Sequence, residues 1–295
     1  MGALEGRVAV ITGAGRGLGR EHALLFAREG ASVVVNDVGG ARDGSGTDAT
    51  PAAEVVREIE ALGGRAVVNG DDVSDAAGAQ RLVRQAIDEF GALHILVNNA
   101  GILRDRMIVN MGDDEWDDVI RVHLRGHFLP TRAAAQYWRE QHKAGQVLNP
   151  AVINTTSTSG LFNHAGQGNY GAAKTAIACL TMISQSEFGR YGVRVNAIAP
   201  SALTRMTAPA DDATLADEVV ARLDPANVSP FVAYLATETC PIEGRIFFVS
   251  GGKVLLFQPF AIVDGIETEG RWTVEALQAA APRLAEVPFT LNRPY

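Results

Sequence analysis

Only two cysteines occur in 295 residues, Cys179 and Cys240, and they form no C-x-x-C pair. A disulfide framework or a thiolate metal site is not expected, and a reducing cytoplasm suits the chain. Lysine is nearly as scarce: Lys143, Lys174 and Lys253 stand against 23 arginines. Net charge is −8 and no basic run is present, so nucleic acid is not expected as a main partner. No apolar run approaches the ~20 residues of a membrane span. The opening MGALEGRVAV lacks the charged and apolar regions of a signal peptide, and Gly6 occupies the position where myristoylation would want Ser or Thr. What remains is an ordinary globular composition, 47% hydrophobic and 20% charged, with ample material for a core.

The chain alternates between apolar, β-branched runs and helical patterns. RVAVIT (7–12) reads as a buried strand, GAGRGLG (13–19) as a glycine turn, and the residues to about 29 as a helix. In that setting Gly13 suits a tight turn, and Gly17 and Gly19 suit close approach of backbone to a pyrophosphate at a helix N-terminus. The spacing is T-G-x-x-x-G-x-G rather than G-x-G-x-x-G. A second strand, 31–37, ends in Asp37. A carboxylate there accepts the adenosine ribose hydroxyls and repels a 2′-phosphate, which favours NAD over NADP. Arg16 and Arg42 pull the other way, since either could pair with that phosphate.

Further strands are expected at 65–70, 93–101, 151–157, 193–200 and 244–252. Helices are expected at 51–62, 75–90, 114–142, from near Tyr170 to 191, at 229–238 and at 273–286. Asp72, Val73, Asn98, Asn99, Ala100 and Gly101 fall at carboxyl ends of strands, where sheets of this kind bind ligands. GGARDGSGTDAT (39–50) reads as a mobile loop and 201–224 as a lid. The pattern predicts a doubly wound α/β domain: a seven-stranded parallel sheet with helices on both faces, spanning 1–252. Residues 253–295 are expected to form an arm on this domain or on a neighbouring subunit.

Within 154–174, NTTSTSGLFNHAGQGNYGAAK, a serine, a tyrosine and a lysine stand close together. Tyr170 and Lys174 are four apart, so a helix puts them on one face. An ammonium one turn from a phenol favours the phenolate, and Tyr170 is therefore expected to have a lowered pKa. That would make it a usable acid and base.

TGAGRGLG, Asp72-Val73, NNAG, Ser157, Tyr170 and Lys174 together resemble the short-chain dehydrogenase/reductase family over about residues 5–252. The resemblance implies a single Rossmann-type domain and a nicotinamide cofactor, NAD by the Asp37 argument. That cofactor would be held by Gly13, Arg16, Gly17, Leu18, Gly19, Asp37, Asp72, Val73, Asn99, Ala100, Gly101, Tyr170, Lys174 and the backbone of Leu203. It also implies Tyr170 as general acid/base, Lys174 on the nicotinamide ribose and Ser157 on the substrate oxygen. His123 takes the place of the family's asparagine, where a neutral imidazole could hold a water but would titrate near pH 6.5. Pro200-Ser201 replaces the usual Pro-Gly, and Arg205 replaces a threonine, with Thr204 and Thr207 nearby.

VVVNDVGG, NNAGILRDRM, VHLRGHF, GQGNYGAAK and APSALTRMT resemble, more narrowly, the (3R)-hydroxyacyl-CoA dehydrogenase unit of peroxisomal multifunctional enzymes and its bacterial relatives. That implies oxidation of a 3-hydroxyacyl thioester. Arg104, Arg106, Arg125 and Arg205 are candidates for CoA phosphates, with surface ion pairs as the default reading. The competing readings are a 3-oxoacyl-carrier-protein reductase, a hydroxysteroid or secondary-alcohol dehydrogenase, and a non-catalytic dinucleotide binder. The resemblance further implies a homodimer or homotetramer through the two long helices.

Overall fold

The computed structural model describes residues 2–204, 207, 216–258 and 260–287. Arg205 and Pro209 of the expected lid, and Phe289 and Tyr295 of the tail, lie outside the described residues. The chain divides into two units, Met1–Leu256 and Phe257–Tyr295.

The first unit begins with β1 (Val8–Thr12), α1 (Gly17–Arg28), β2 (Ser32–Asn36), α2 (Thr50–Ala61), β3 (Arg65–Asn69) and α3 (Ala76–Phe90). Then follow β4 (Ile95–Asn98), α4 (Asp113–Ile120), α5 (Gly126–Lys143), β5 (Ala151–Thr155), a one-turn α6 (Thr158–Leu161) and α7 (Gly168–Phe188). It ends with β6 (Arg194–Pro200), α8 (Asp217–Arg222), α9 (Ser229–Ala236), β7 (Ile246–Ser250) and β8 (Lys253–Leu256).

The sheet runs β3-β2-β1-β4-β5-β6-β7-β8. The first seven strands are parallel, and β8 folds back antiparallel on β7 with Ser250 opposite Lys253. The sheet therefore has eight strands rather than seven. Gly251, at φ +52°, makes the tight return.

Alternation along β1 shows how both faces are filled. Ala9 and Ile11 join one apolar cluster with Phe26, Val55, Ile59 and Leu235, contributed by α1, α2 and α9. Val8 and Val10 join the other with Leu82, Val83 and Trp138, contributed by α3 and α5. Period-two side chains and helices on both faces require this arrangement. The strand order reverses between β1 and β4, which opens a crevice at their carboxyl ends.

The single helix expected over 114–142 is interrupted. Arg121–Arg125 forms a π-turn between α4 and α5, in which the Gly126 N–H reaches back to the Arg121 carbonyl. Such single-turn bulges concentrate at functional sites, and this one carries His123.

The loop 39–50 is tied by backbone bonds: Asp48 N to the Val38 carbonyl, Ala41 N to that of Ser45, and Leu103 N to that of Arg42. In the second unit, α10 (Val274–Ala280) is capped by Thr273, whose hydroxyl accepts from Ala276 N, and α11 (Pro282–Ala285) follows. Arg283 pairs with Asp264 at 3.2 Å.

Candidate active site

The glycine turn is built for close backbone approach. Gly13 and Gly17 have φ of +63° and +53°. A Cβ on Gly13 would lie 2.8 Å from Ala100 Cα, and one on Gly19 would lie 2.2 Å from the Gly13 carbonyl oxygen. Asn99 braces the turn, its Nδ2 donating to the carbonyls of Thr12 and Gly13 at 3.0 and 3.1 Å. Asp37 closes the far side, accepting from Gly15 N at 2.8 Å and Gly39 N at 2.6 Å. A carboxylate has about four acceptor sites, so capacity remains for two ribose hydroxyls.

One cleft collects Gly13, Arg16, Gly17, Leu18, Asp37, Asp72, Val73, Asn99, Ala100 and Gly101, together with Thr204. These residues fit a dinucleotide: a glycine cradle that side chains would fill, at a helix N-terminus, with an acid at the second strand. Arg16 faces Asp48 at 3.9 Å. Asp72 is partly committed elsewhere, to Ser74 and, at 3.1 Å, to Arg121.

Two expected residues stand differently. Asn98 is buried, donating at 2.9 Å to Thr131 Oγ1 and to Asn154 Oδ1, and it does not line the cleft. A polar residue at the end of β4 here knits strand to helix. The Leu203 N–H is taken by the Leu223 carbonyl at 2.7 Å. The CoA candidates are also engaged: Arg104 with Asp118 at 2.8 Å and Asp114 at 3.3 Å, Arg106 with Glu115 at 2.8 Å, and Arg125 with the Ser74 carbonyl at 2.9 Å. They act as intramolecular partners, the default reading for surface arginines.

At the next strand ends, β5 delivers Ser157, which caps α6 by accepting from Ser159 N at 3.1 Å. The Tyr170 hydroxyl is close enough to the Ser157 side chain to be influenced by it. Lys174 is buried, with Nζ 5.5 Å from the Tyr170 ring centroid and donating to the Thr155 carbonyl at 2.6 Å. Thr156 adds a second stitch, its hydroxyl donating to the Lys174 carbonyl at 2.5 Å.

The lowered tyrosine pKa expected from the Tyr-x-x-x-Lys spacing is not found. Burial pushes the Tyr170 hydroxyl up to about 12, opposed by the Ser157 side chain and assisted by the charge of Asp105. Burial also lowers Lys174 to about 7. Desolvation penalises both charged forms at once, and it outweighs what the spacing alone suggests.

His123 lies against this pair, its ring edge-on to Tyr170 with centroids 5.1 Å apart and planes at 89°. Its Nε2 is 2.8 Å from the Ile102 carbonyl oxygen and 3.1 Å from Ile102 N. The Ile102 N–H donates to Nε2, and Nδ1 meets no protein partner. Burial, with the charge of Lys174 second, holds the ring well below its usual range, so it is neutral rather than titrating near pH 6.5.

Two further residues belong to the site that the sequence did not single out. Asn169 is fully buried, its Nδ2 donating to the carbonyls of Arg104 and Glu115 and its Oδ1 accepting from Tyr170 N. It pins the start of α7 to α4. The second residue is His127, also buried. Among the described residues no cluster of His, Cys, Asp and Glu could hold a metal ion, and no helix is long and apolar enough to cross a membrane.

Comparison with known proteins agrees with this geometry. Residues 7–214 match the sequence model of the short chain dehydrogenases. A short-chain type dehydrogenase/reductase of Mycobacterium tuberculosis is 49% identical over 86% of this chain and 85% of its own. Hydroxyacyl-CoA dehydrogenase ChsB1 of the same organism is 46% identical over 87% of this chain and 81% of its own. Mouse peroxisomal multifunctional enzyme type 2 is 42% identical over 85% of this chain, which spans 32% of that longer protein. The crystal structure of a short chain dehydrogenase from Mycobacterium avium superposes with a TM-score of 0.86 at 45% identity, covering 97% of this chain and 96% of the other. With a glycine cradle opening onto a serine, a tyrosine and a buried lysine, the chain belongs to the short-chain dehydrogenase family, oxidoreductases that act on CH–OH groups with NAD or NADP.

Proposed function

We propose that the protein oxidises the 3-hydroxyl of an acyl-CoA thioester with NAD. The observation that carries the reaction type is that Tyr170 stands beside Ser157 and within 5.5 Å, ring centroid to Nζ, of a buried Lys174. Bound at the glycine cradle, NAD would supply the hydride acceptor. Ser157 and Tyr170 hold the substrate oxygen between them. Once its own proton has passed to neutral Lys174, Tyr170 as the phenolate takes the hydroxyl proton as the carbonyl forms, and Ser157 stabilises the charge on that oxygen. Lys174, brought by burial to about 7, exchanges protons near neutral pH and holds the nicotinamide ribose.

The choice of NAD over NADP rests on Asp37, which would repel a 2′-phosphate. Arg16, one of the two residues that could reverse that preference, faces Asp48. The substrate class rests on the identity with hydroxyacyl-CoA dehydrogenase ChsB1 over most of the chain. No phosphate role is assigned to Arg104, Arg106 or Arg125, because each has an intramolecular partner. A homo-oligomer is favoured by one groove between α5 and α7, where exposed Phe128 and Ile183 lie among Arg132, Arg139 and Glu187.

A substrate panel tests this reading. The expected result is NAD-dependent turnover of 3-hydroxyacyl-CoA well above that of the free acid, hydroxysteroids or simple secondary alcohols. Equal activity with NADP would remove the Asp37 argument, and preference for a free alcohol would remove the thioester.

A further inference from the structure

The loop that follows β2 reaches well beyond its own strand. The sheet order places β1 between β2 and β4, yet residues 42–44 of this loop are held by residues 102–104, which follow β4. The Leu103 N–H donates to the Arg42 carbonyl at 3.0 Å. Arg104 Nε donates to the Asp43 carbonyl, also at 3.0 Å. Gly44 rests on Ile102: a Cβ there would lie 3.1 Å from Ile102 Cδ1, and its φ of +89° favours glycine. The tip is a closed turn, with Asp43 Oδ1 accepting from Ser45 N and Oγ at 3.0 and 2.7 Å. Loop and latch therefore bridge the carboxyl end of β1, and Gly40, Gly44 and Ile102 line the same cleft as Gly13 and Asp37.

We propose that Arg104 is a positioning residue that latches loop 39–50 as a strap across the dinucleotide cleft and ties it to the helix of Tyr170. Its guanidinium uses all three nitrogens. Beside Nε on Asp43, Nη2 and Nη1 pair with Asp118 and Asp114 of α4 at 2.8 and 3.3 Å. Its carbonyl accepts from Asn169 Nδ2 at 3.0 Å, and Asn169 Oδ1 in turn accepts from Tyr170 N at 2.7 Å. One residue is thus shared by the roof of the cleft and the first turn of α7. A surface ion pair accounts for the two aspartates, but not for the bond to a backbone carbonyl 61 residues away, and only 24% of the Arg104 side chain is exposed. The rigid planar fork matters, because a lysine concentrates its donors on one nitrogen and cannot span Asp43 and α4. For a nucleotide to enter or leave beneath the strap the contacts at 42–44 must open, so their strength governs its release.

The proposal rests on the dinucleotide reading of the cleft, and stopped-flow release of NADH, or of NADPH where that binds tighter, tests it without turnover. Arg104→Lys keeps a charge beside Asp118 and loses the Nε donor. Gly44→Ala crowds Ile102 from the other side and leaves Arg104 and α4 intact. Arg104→Lys should release the nucleotide about tenfold faster than wild type, the scale of one charge-assisted hydrogen bond lost from the closed state, and Gly44→Ala should be faster as well. Asp114→Asn, which removes only an exposed ion pair, should stay within about twofold of wild type. The KM for the nucleotide should rise in the first two variants while that for the hydroxy substrate holds. With nucleotide bound, amide exchange in Arg104→Lys should be faster than in wild type both at 41–45 and at Tyr170; acceleration at 41–45 alone would overturn the tie to α7. A wild-type release rate in Arg104→Lys would overturn the strap, and so would an Asp114→Asn variant as fast as Arg104→Lys, since that is how a merely loosened α4 behaves. A wild-type protein that binds neither nucleotide would overturn the dinucleotide reading itself, whereas tight binding with unaltered release overturns the strap alone.

Discussion

A Cβ on Gly101 would lie 2.3 Å from Cε1 of His123. The glycine at the end of NNAG and the histidine of the π-turn are therefore two halves of one packing decision. An imidazole ring has no flexible end to withdraw, and its Nε2 is fixed on Ile102. Gly101→Ala should cost about 1–3 kcal/mol, the usual range for overpacking, and should lower kcat by displacing His123 from Tyr170. The shorter side chain of His123→Asn should relieve the clash, so the double variant should be less destabilised than the sum of the singles. Urea unfolding of the four proteins measures the coupling, and strict additivity would refute the link.

Tyr170 is the group whose loss should separate chemistry from binding. Tyr170→Phe removes the hydroxyl beside Ser157 but leaves the ring that packs on His123 and faces Lys174. Turnover should fall by roughly 10²–10⁴-fold, the usual contribution of a positioned acid/base. NADH affinity should change little, because the cradle is built from other residues. Parallel rate assays and fluorescence titrations read the two quantities. Turnover within tenfold of wild type would remove Tyr170 from the proton step.

Asp37 should set cofactor preference. Asp37→Ala deletes the acceptor for Gly15 N and Gly39 N and the charge that repels a 2′-phosphate. The ratio of kcat/KM for NAD over NADP should fall by about 10²-fold, with loss on NAD and gain on NADP. Adding Asp48→Ala, which frees Arg16, should increase the gain on NADP. Loss on NAD without any gain on NADP would show that Asp37 braces the turn but does not discriminate.

How far the sequence could be read depended on what each residue needed from its surroundings. Strand alternation and the glycine turn are local, so β1 to β7 and the cradle were legible. The Ser157, Tyr170 and Lys174 set was legible for the same reason: fixed spacing on a strand end and one helix face. Ionisation was not. Spacing predicts an ammonium near a phenol, but it carries no information on burial, and burial sent Tyr170 up to about 12. Asn98 and Asn99 are adjacent and chemically identical, yet one braces the glycine turn and the other knits β4 to Asn154; pleat direction decides which. The π-turn has no sequence signature, so the interruption at Arg121–Arg125 was missed. His127 reads as one more polar residue on a helix until α5 is packed against the sheet. β8 is four exposed residues, too short and too unburied to show a strand pattern.

Lys174 gives a prediction about stability as a function of pH. Burial lowers its pKa from 10.5 to about 7 in the folded protein. The unfolded chain keeps an ordinary lysine value near ~10.4. Between those values the unfolded state binds more protons than the folded state, so this group's contribution to stability rises with pH across that window. Below about pH 7 both states are protonated and the burial penalty is at full size; above about pH 10.5 it is gone. Lys174→Met removes the titration and keeps an apolar stem of similar length. It also leaves the Thr155 carbonyl without its lysine donor. The variant should therefore be more stable than wild type by about 1–3 kcal/mol at pH 7, with the advantage shrinking toward pH 10 as wild type catches up. Denaturant midpoints for both proteins at intervals from pH 6.5 to 10 measure this. A difference that stays constant over that range would mean that Lys174 enters the folded core with an unshifted pKa, and the proton-exchange role assigned to it near neutral pH would fall with it.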